Sequence, residues 1–213
     1  MNDPLLNVRN FRANVSPYAI SNVHLEIYNK DRCFIQGRSG SGKTTFLKAL
    51  GGLLPSSGTV EHQPQIRLCY FSQRPVFLPG TVEDNLKIPF QFKINSHLLY
   101  DRNLIADWLE HLGFETSLLN KNCRSLSGGE GQIIHFLRGL QLSPSILLLD
   151  EPTSSLDPSR ATLFENFLLH DWLGAEEDPS LSHVSKPPRA ILMVSHDPSQ
   201  VRRIANKIYS LDT

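Results

Sequence analysis

The octapeptide Gly37-Arg38-Ser39-Gly40-Ser41-Gly42-Lys43-Thr44 has the composition of a loop that holds phosphate. It fits G-x-x-x-x-G-K-[ST] at every fixed position, with an apolar run before it and a helical pattern after it. Glycines let such a loop wrap closely with its N–H groups pointing inward, and the helix N-terminus adds positive potential. Lys43 is expected to bridge the β- and γ-phosphates of a nucleoside triphosphate. The Thr44 hydroxyl is expected to ligate Mg2+, with Thr45 completing the phosphate-binding run. A plain Gly/Ser-rich turn is the competing reading, and it loses ground because strand and helix both stand where the motif requires them. About a hundred residues later, Leu147-Leu148-Leu149-Asp150-Glu151-Pro152 reads as a buried strand ending in acids. Open α/β sheets bind ligands at the C-terminal edge of such strands. Asp150 is placed to hold Mg2+ through water, and Glu151 to polarise an attacking water. Two acids at a strand end are weak evidence alone; the phosphate loop upstream gives them their meaning.

The elements that must position these groups follow from periodicity. Residues 20–36 read as two strands, carried by Ile20, Val23, Leu25 and Ile27 and then by Cys33, Phe34 and Ile35. Lys43 to Leu54 has helical spacing, with Pro55 and Ser56-Ser57-Gly58 as the stop. Strands are expected around 58–61 and 66–72. From about 83 to 143 the pattern is helical, with one stripe of Ile105, Trp108, Leu109 and Leu112 and another of Ile133, Phe136, Leu137 and Leu140. A buried strand at Ile146–Leu149 precedes a helix bearing Leu163, Phe164, Phe167, Leu168 and Trp172. Ala190–Val194 is the next strand, followed by a short helix and a strand near Lys207–Leu211. Strand–helix alternation at both ends predicts one α/β domain, its core from residues 1–82 and 144–213, with a helical subdomain inserted over 83–143. Residues 174–189 are polar and proline-containing and read as an exposed loop.

Composition narrows the function classes. In 213 residues, 21 Lys+Arg balance 21 Asp+Glu, which argues against a broad nucleic-acid or anionic-lipid surface. No apolar run approaches the roughly 18 residues needed to cross a bilayer. Met-Asn-Asp-Pro-Leu-Leu lacks the basic-then-apolar order of a signal peptide. Cys33, Cys69 and Cys123 fit neither a zinc spacing nor a disulfide framework, so a reducing cytosol is expected.

Leu126-Ser127-Gly128-Gly129-Glu130, some twenty residues before Asp150, resembles the signature motif of ABC-type ATPases. A serine and two glycines opening a helix offer N–H groups and a hydroxyl to a phosphate, and Ser127 with Glu130 is also a capping-box pattern. Gln73, in Tyr70-Phe71-Ser72-Gln73, resembles the Q-loop glutamine that senses Mg2+ and the attacking water. Ser154-Ser155-Leu156-Asp157 resembles the D-loop, and His196 in Val194-Ser195-His196-Asp197 the switch histidine at the γ-phosphate. The resemblance spans nearly the whole chain. It implies a P-loop NTPase, RecA-like α/β core with a small antiparallel β-subdomain and an inserted helical subdomain. It also implies ATP and Mg2+ as ligands and a head-to-tail homodimer in which Ser127, Gly128, Gly129 and Glu130 act on the partner copy's ATP. The implied partners are separate integral membrane permease subunits, contacted near Gln73, with no nucleic acid involved. The implied location is the cytoplasmic face of a membrane.

Thr81-Val82-Glu83-Asp84-Asn85-Leu86, Ile88-Pro89-Phe90-Gln91 and Asn120-Lys121-Asn122 resemble the ATPase subunits of two-component iron exporters. Several positions depart from the family. Gly131 and Ile133 stand where basic residues are usual, and a glycine there costs about 1 kcal/mol relative to Ala. The aromatic residue that stacks on adenine has no match at Ala13 or Asn14, which leaves Phe11 or Tyr18. The stretch from Gly58 to Gln73 is short and trims the β-subdomain. Two alternatives to a transporter subunit remain: a soluble ABC ATPase uncoupled from transport, and a slow regulatory nucleotide binder.

Overall fold

The computed structural model describes residues 3–15, 18–174 and 187–211, and these fall into two compact units. The first unit takes residues 1–70, 145–151 and 175–213. Its centre is a five-stranded sheet in the order β5-β6-β7-β3-β8, formed by β3 (Arg32–Gln36), β5 (Leu68–Phe71), β6 (Ile146–Asp150), β7 (Ala190–Val194) and β8 (Lys207–Ser210). β3 pairs in parallel with both β7 and β8, and β6 with β7. β6 and β7 are buried at every residue, as a sheet covered on both faces requires. Helix α1 (Lys43–Leu50) follows β3 and turns Phe46 and Leu47 into the core.

A second sheet, β2-β1-β4, is antiparallel and comprises β1 (Leu6–Val15), β2 (Tyr18–Ile27) and β4 (Ser57–His62). Two differences from the sequence reading arise here. Helix α1 ends at Leu50, where Gly51 caps it, and not near Leu54; Ser57 and Gly58 belong to β4 instead of a helix-stopping turn. Gly58 has φ 101°, and a Cβ there would lie 2.4 Å from the Asn10 carbonyl oxygen, so a close backbone approach fixes its type. Strand β1 went unread in the sequence.

The second unit takes residues 71–144 and 152–174. It holds α2 (Val82–Lys87), α3 (Arg102–His111), α4 (Gly128–Leu140) and α5 (Pro158–Asn166), the last continuing as a π-helix over Phe167–Trp172. This unit is wider than the helical block at 83–143. Residues 152–174 join it because Phe164 and Phe167 pack on Phe136 of α4, with ring centroids 4.8 and 6.1 Å apart. Among the described residues, no helix is long and apolar enough to cross a membrane. Most of the loop read at 174–189 lies outside the described residues.

Candidate nucleotide site

The register of the parallel sheet gathers the predicted groups of the first unit at one edge. Ile35 of β3 and Asp150 of β6 both pair with Val194 of β7, so three adjacent strands end abreast. The loop after β3 is the phosphate-loop candidate, Glu151 follows β6, and His196 follows β7. Crevices beyond such strand ends are where open α/β sheets bind ligands.

In the loop, Gly42 is the N-cap of α1 at φ 90°, a backbone that disfavours any side chain. No side chain caps α1, and its first turn carries no acid, so its leading N–H groups keep their affinity for an anion. Lys43 is buried, and its Nζ donates to the carbonyls of Gly37 at 2.8 Å and Arg38 at 3.0 Å. Arg38, Ser39 and Gly40 are exposed, and Ser41 is half-buried. Thr44 is exposed and Thr45 buried, so neighbouring threonines point to opposite sides of the helix start.

Thr44 Oγ1 donates to Asp150 Oδ1 at 3.0 Å, and the Tyr70 hydroxyl donates to Asp150 Oδ2 at 3.0 Å. Asp150 is therefore a buried carboxylate held at both oxygens. Burial and the Asp150 charge push the Tyr70 pKa up, which keeps the phenol a donor. A hydroxyl and a carboxylate oxygen 3.0 Å apart are hard donors of the kind Mg2+ takes, together with substrate phosphates and waters. A site of that kind needs few protein ligands, and among the described residues no cluster of three or more His, Cys, Asp or Glu is placed to hold a metal.

Glu151 has φ 52°, a left-handed backbone that is uncommon for a residue with a side chain. Its side chain is 12% exposed, and Oε1 lies 3.2 Å from His196 Nε2 on a largely exposed imidazole. Burial pushes the carboxyl pKa up and Asp150 adds to the rise, against the opposing pull of His196 and Lys43. Of the adenine-stacking candidates, Phe11 is buried and packs edge-on against Phe46 with centroids 5.4 Å apart, so it has no face open to a base. The Tyr18 side chain lies outside the described part of the structure.

The second unit carries the other predicted residues. Gln73 is exposed on the loop after β5. Ser127 is the N-cap of α4: its hydroxyl accepts from Glu130 N at 3.2 Å, and Glu130 Oε2 accepts from Ser127 N at 2.7 Å. Both halves of the capping box are formed. Lys121 Nζ binds both Glu130 oxygens at 3.0 and 2.8 Å, and its charge and the Ser127 donors hold the Glu130 pKa down against burial. Ser127 and Gly128 remain exposed. Gly129 is buried, and a Cβ on it would lie 3.0 Å from the Ser155 carbonyl oxygen. Gln132 Oε1 accepts from Ser155 N at 3.0 Å, so α4 carries the Ser154–Asp157 turn on its back. The Asp157 carboxylate caps α5, accepting from the amides of Ser159 and Arg160. Ile133 is buried in the core, where a basic side chain would be unpaired. Sequence reasoning missed Tyr70, Gln132 and His135. Tyr70 lies in the strand read at 66–72, and Gln132 is a buried polar residue beside the apolar stripe of α4, but neither pattern names a partner.

The ABC transporter family model matches residues 20–154. The chain belongs to the ABC transporter family. It is 33% identical to the "Probable iron export ATP-binding protein FetA" of Escherichia coli K12 over 223 aligned residues, covering 99% of this chain and 92% of that protein. It is 30% identical to the "Zinc import ATP-binding protein ZnuC" of Psychrobacter cryohalolentis, covering 94% of this chain and 78% of that one. The fold is that of the ATP-binding cassette MJ0796, solved as a dimer in a post-hydrolysis state bound to ADP and Pi. That match has a TM-score of 0.76 at 23% identity and covers 97% of this chain and 94% of that one. The chain is an ATP-binding subunit of an ABC transporter and an ATPase of that family.

Proposed function

We propose that two copies close head to tail around two ATP molecules and drive a separate membrane permease as a metal exporter of the iron type. The nucleotide site in this reading is supported by the alignment of three strand ends, which brings Lys43, Thr44, Asp150, Glu151 and His196 to one sheet edge. The loop Gly37–Thr44 and the start of α1 surround the phosphates with N–H donors, and Lys43 turns from its loop carbonyls to the γ-phosphate. Thr44 and Asp150 would hold Mg2+, with Gln73 as the further ligand that the family resemblance implies, and the ion would offset negative charge on the phosphates. Glu151 accepts the proton of the attacking water, and its raised pKa suits a base better than that of a free carboxylate. His196 fixes the Glu151 carboxylate and faces the γ-phosphate. Ser127 and Gly129 serve the partner copy's ATP, for which exposed Ser127 and the start of α4 supply a hydroxyl and N–H groups. Support for export is the full-length likeness to the iron export protein; the likeness to a zinc import protein makes direction the point to test.

Glu151→Gln keeps the phosphate contacts and removes the base, so it should trap an ATP-bound dimer. Size-exclusion chromatography with ATP and Mg2+ should show a shift to twice the monomer mass; a monomer at saturating ATP would overturn the sandwich. In cells overproducing the chain with its permease, export predicts lower metal content, and a rise would assign import.

A further inference from the structure

One face of α4 carries Gly131, His135 and Arg138, spaced as successive helical turns, and all three meet the loop that bears Gln73. The His135 Nε2 lone pair accepts from the Ser72 amide at 3.2 Å, one residue before Gln73. The Ser72 hydroxyl lies 3.4 Å from the same nitrogen and donates to the Arg74 carbonyl at 3.0 Å, which tightens the turn around Gln73. Arg138 Nη2 donates to the Val76 carbonyl at 3.0 Å, and its guanidinium lies over the Phe77 ring, 5.2 Å from the centroid. At Gly131 a Cβ would make ordinary packing contact with Phe77 and Pro75, at 3.5 and 3.7 Å, so the loop lies close against the helix here.

We propose that this face of α4 is a seat for the Gln73 loop and that His135 is a positioning residue for Gln73. The inference rests on the role given to Gln73 above. The ring is suited to the task. Burial, reinforced by the Arg138 charge, pushes the His135 pKa down to about 4, so at neutral pH the ring is uncharged with one lone pair; the Ser72 amide points at Nε2, while Arg138 Nη2 lies 3.2 Å from Nδ1. Edge contact with Phe71, centroids 5.9 Å apart, fixes the ring plane. Because Ser127 opens the same helix, the seat ties the Gln73 loop and the signature segment to one rigid element. A loop held only by its own turn would leave Gln73 to search for its position in each catalytic cycle.

The test compares the full chain with His135→Leu, His135→Asn and His135→Gln. Gln places Oε1 where Nε2 stood, whereas Leu offers no acceptor and Asn is too short to reach Ser72. Amide exchange at Ser72, followed by NMR on the nucleotide-free protein, should be about tenfold faster in the Leu and Asn variants and restored in Gln, as loss of one half-buried hydrogen bond implies. ATP turnover should show kcat reduced in Leu and Asn and recovered in Gln, with KM for ATP unchanged because the phosphate loop is untouched. Unchanged Ser72 exchange in both Leu and Asn would overturn the seat. Asn keeps the test open should Leu fail to fold. Gln73→Ala separates the two readings: full turnover in that variant would remove the role of Gln73, while the exchange data still decide the seat.

Discussion

Glu151 combines a left-handed backbone at φ 52° with a carboxyl whose pKa is raised by burial, and both features carry an energetic cost. Strain of this kind is held by the surroundings: Glu151 N donates to the Val194 carbonyl at 3.0 Å, so the turn is fastened to β7. His135 carries a residue-scale cost of the opposite sign, since its fold favours the neutral ring. Its pKa falls from 6.5 to about 4, through burial first and the Arg138 charge second. Between those values the unfolded chain binds a proton that the native protein does not. The stability this ring contributes is therefore complete above about pH 6.5 and is lost as pH falls through about 4. The loss is expected to reach at most about 3 kcal/mol. Chemical denaturation of the nucleotide-free protein at pH 7, 6, 5 and 4.5 should show wild type losing stability faster than His135→Gln. Parallel curves would mean that the imidazole is not held neutral by the fold.

At the scale of elements, legibility followed the regularity of the pattern. β7 is uniformly apolar and β6 is apolar up to Asp150, and both were read to within a residue; the α4 stripe Ile133, Phe136, Leu137 and Leu140 is buried as its spacing demands. β1 escaped because its period breaks. Leu6, Val8, Phe11 and Ala13 share the buried face, yet Val8 to Phe11 is a step of three, forced by the bulge at Asn10 with φ 50°. The candidate site was legible where a motif fixes both residue type and spacing, as at Lys43 and Asp150. It was illegible where partners lie far apart in sequence, as for Tyr70 on Asp150 or Gln132 on Ser155. The α4–turn contact makes its own prediction. Gly129→Ala would place a Cβ 3.0 Å from the Ser155 carbonyl and 3.3 Å from Leu156 Cδ2, both inside normal packing distance. Overpacking of this kind should cost about 1–3 kcal/mol, read as a lower thermal midpoint. A midpoint equal to or above wild type would show that the turn yields freely.

At the scale of the whole molecule, each chain has the proposed phosphate loop on its first unit and an exposed Ser127 on its second. The proposed head-to-tail dimer would make two composite sites from these parts, and that arrangement has an arithmetic consequence. Lys43→Ala should disable the loop of its own chain, because the ammonium proposed to meet the γ-phosphate is gone. Ser127→Arg disables the signature surface by filling it with a long side chain at the helix start. Each variant alone should be inactive, since every site of either homodimer contains one defect. In an equimolar mixture about half the dimers are mixed, and each mixed dimer has one site with both defects and one with neither. Activity should then return to about a quarter of wild type when sites act independently, although neither protein in the tube is functional. A site built within a single chain would give no recovery at any mixing ratio. The measurement is phosphate release against mole fraction, and it should peak at equal amounts and fall to zero at both ends.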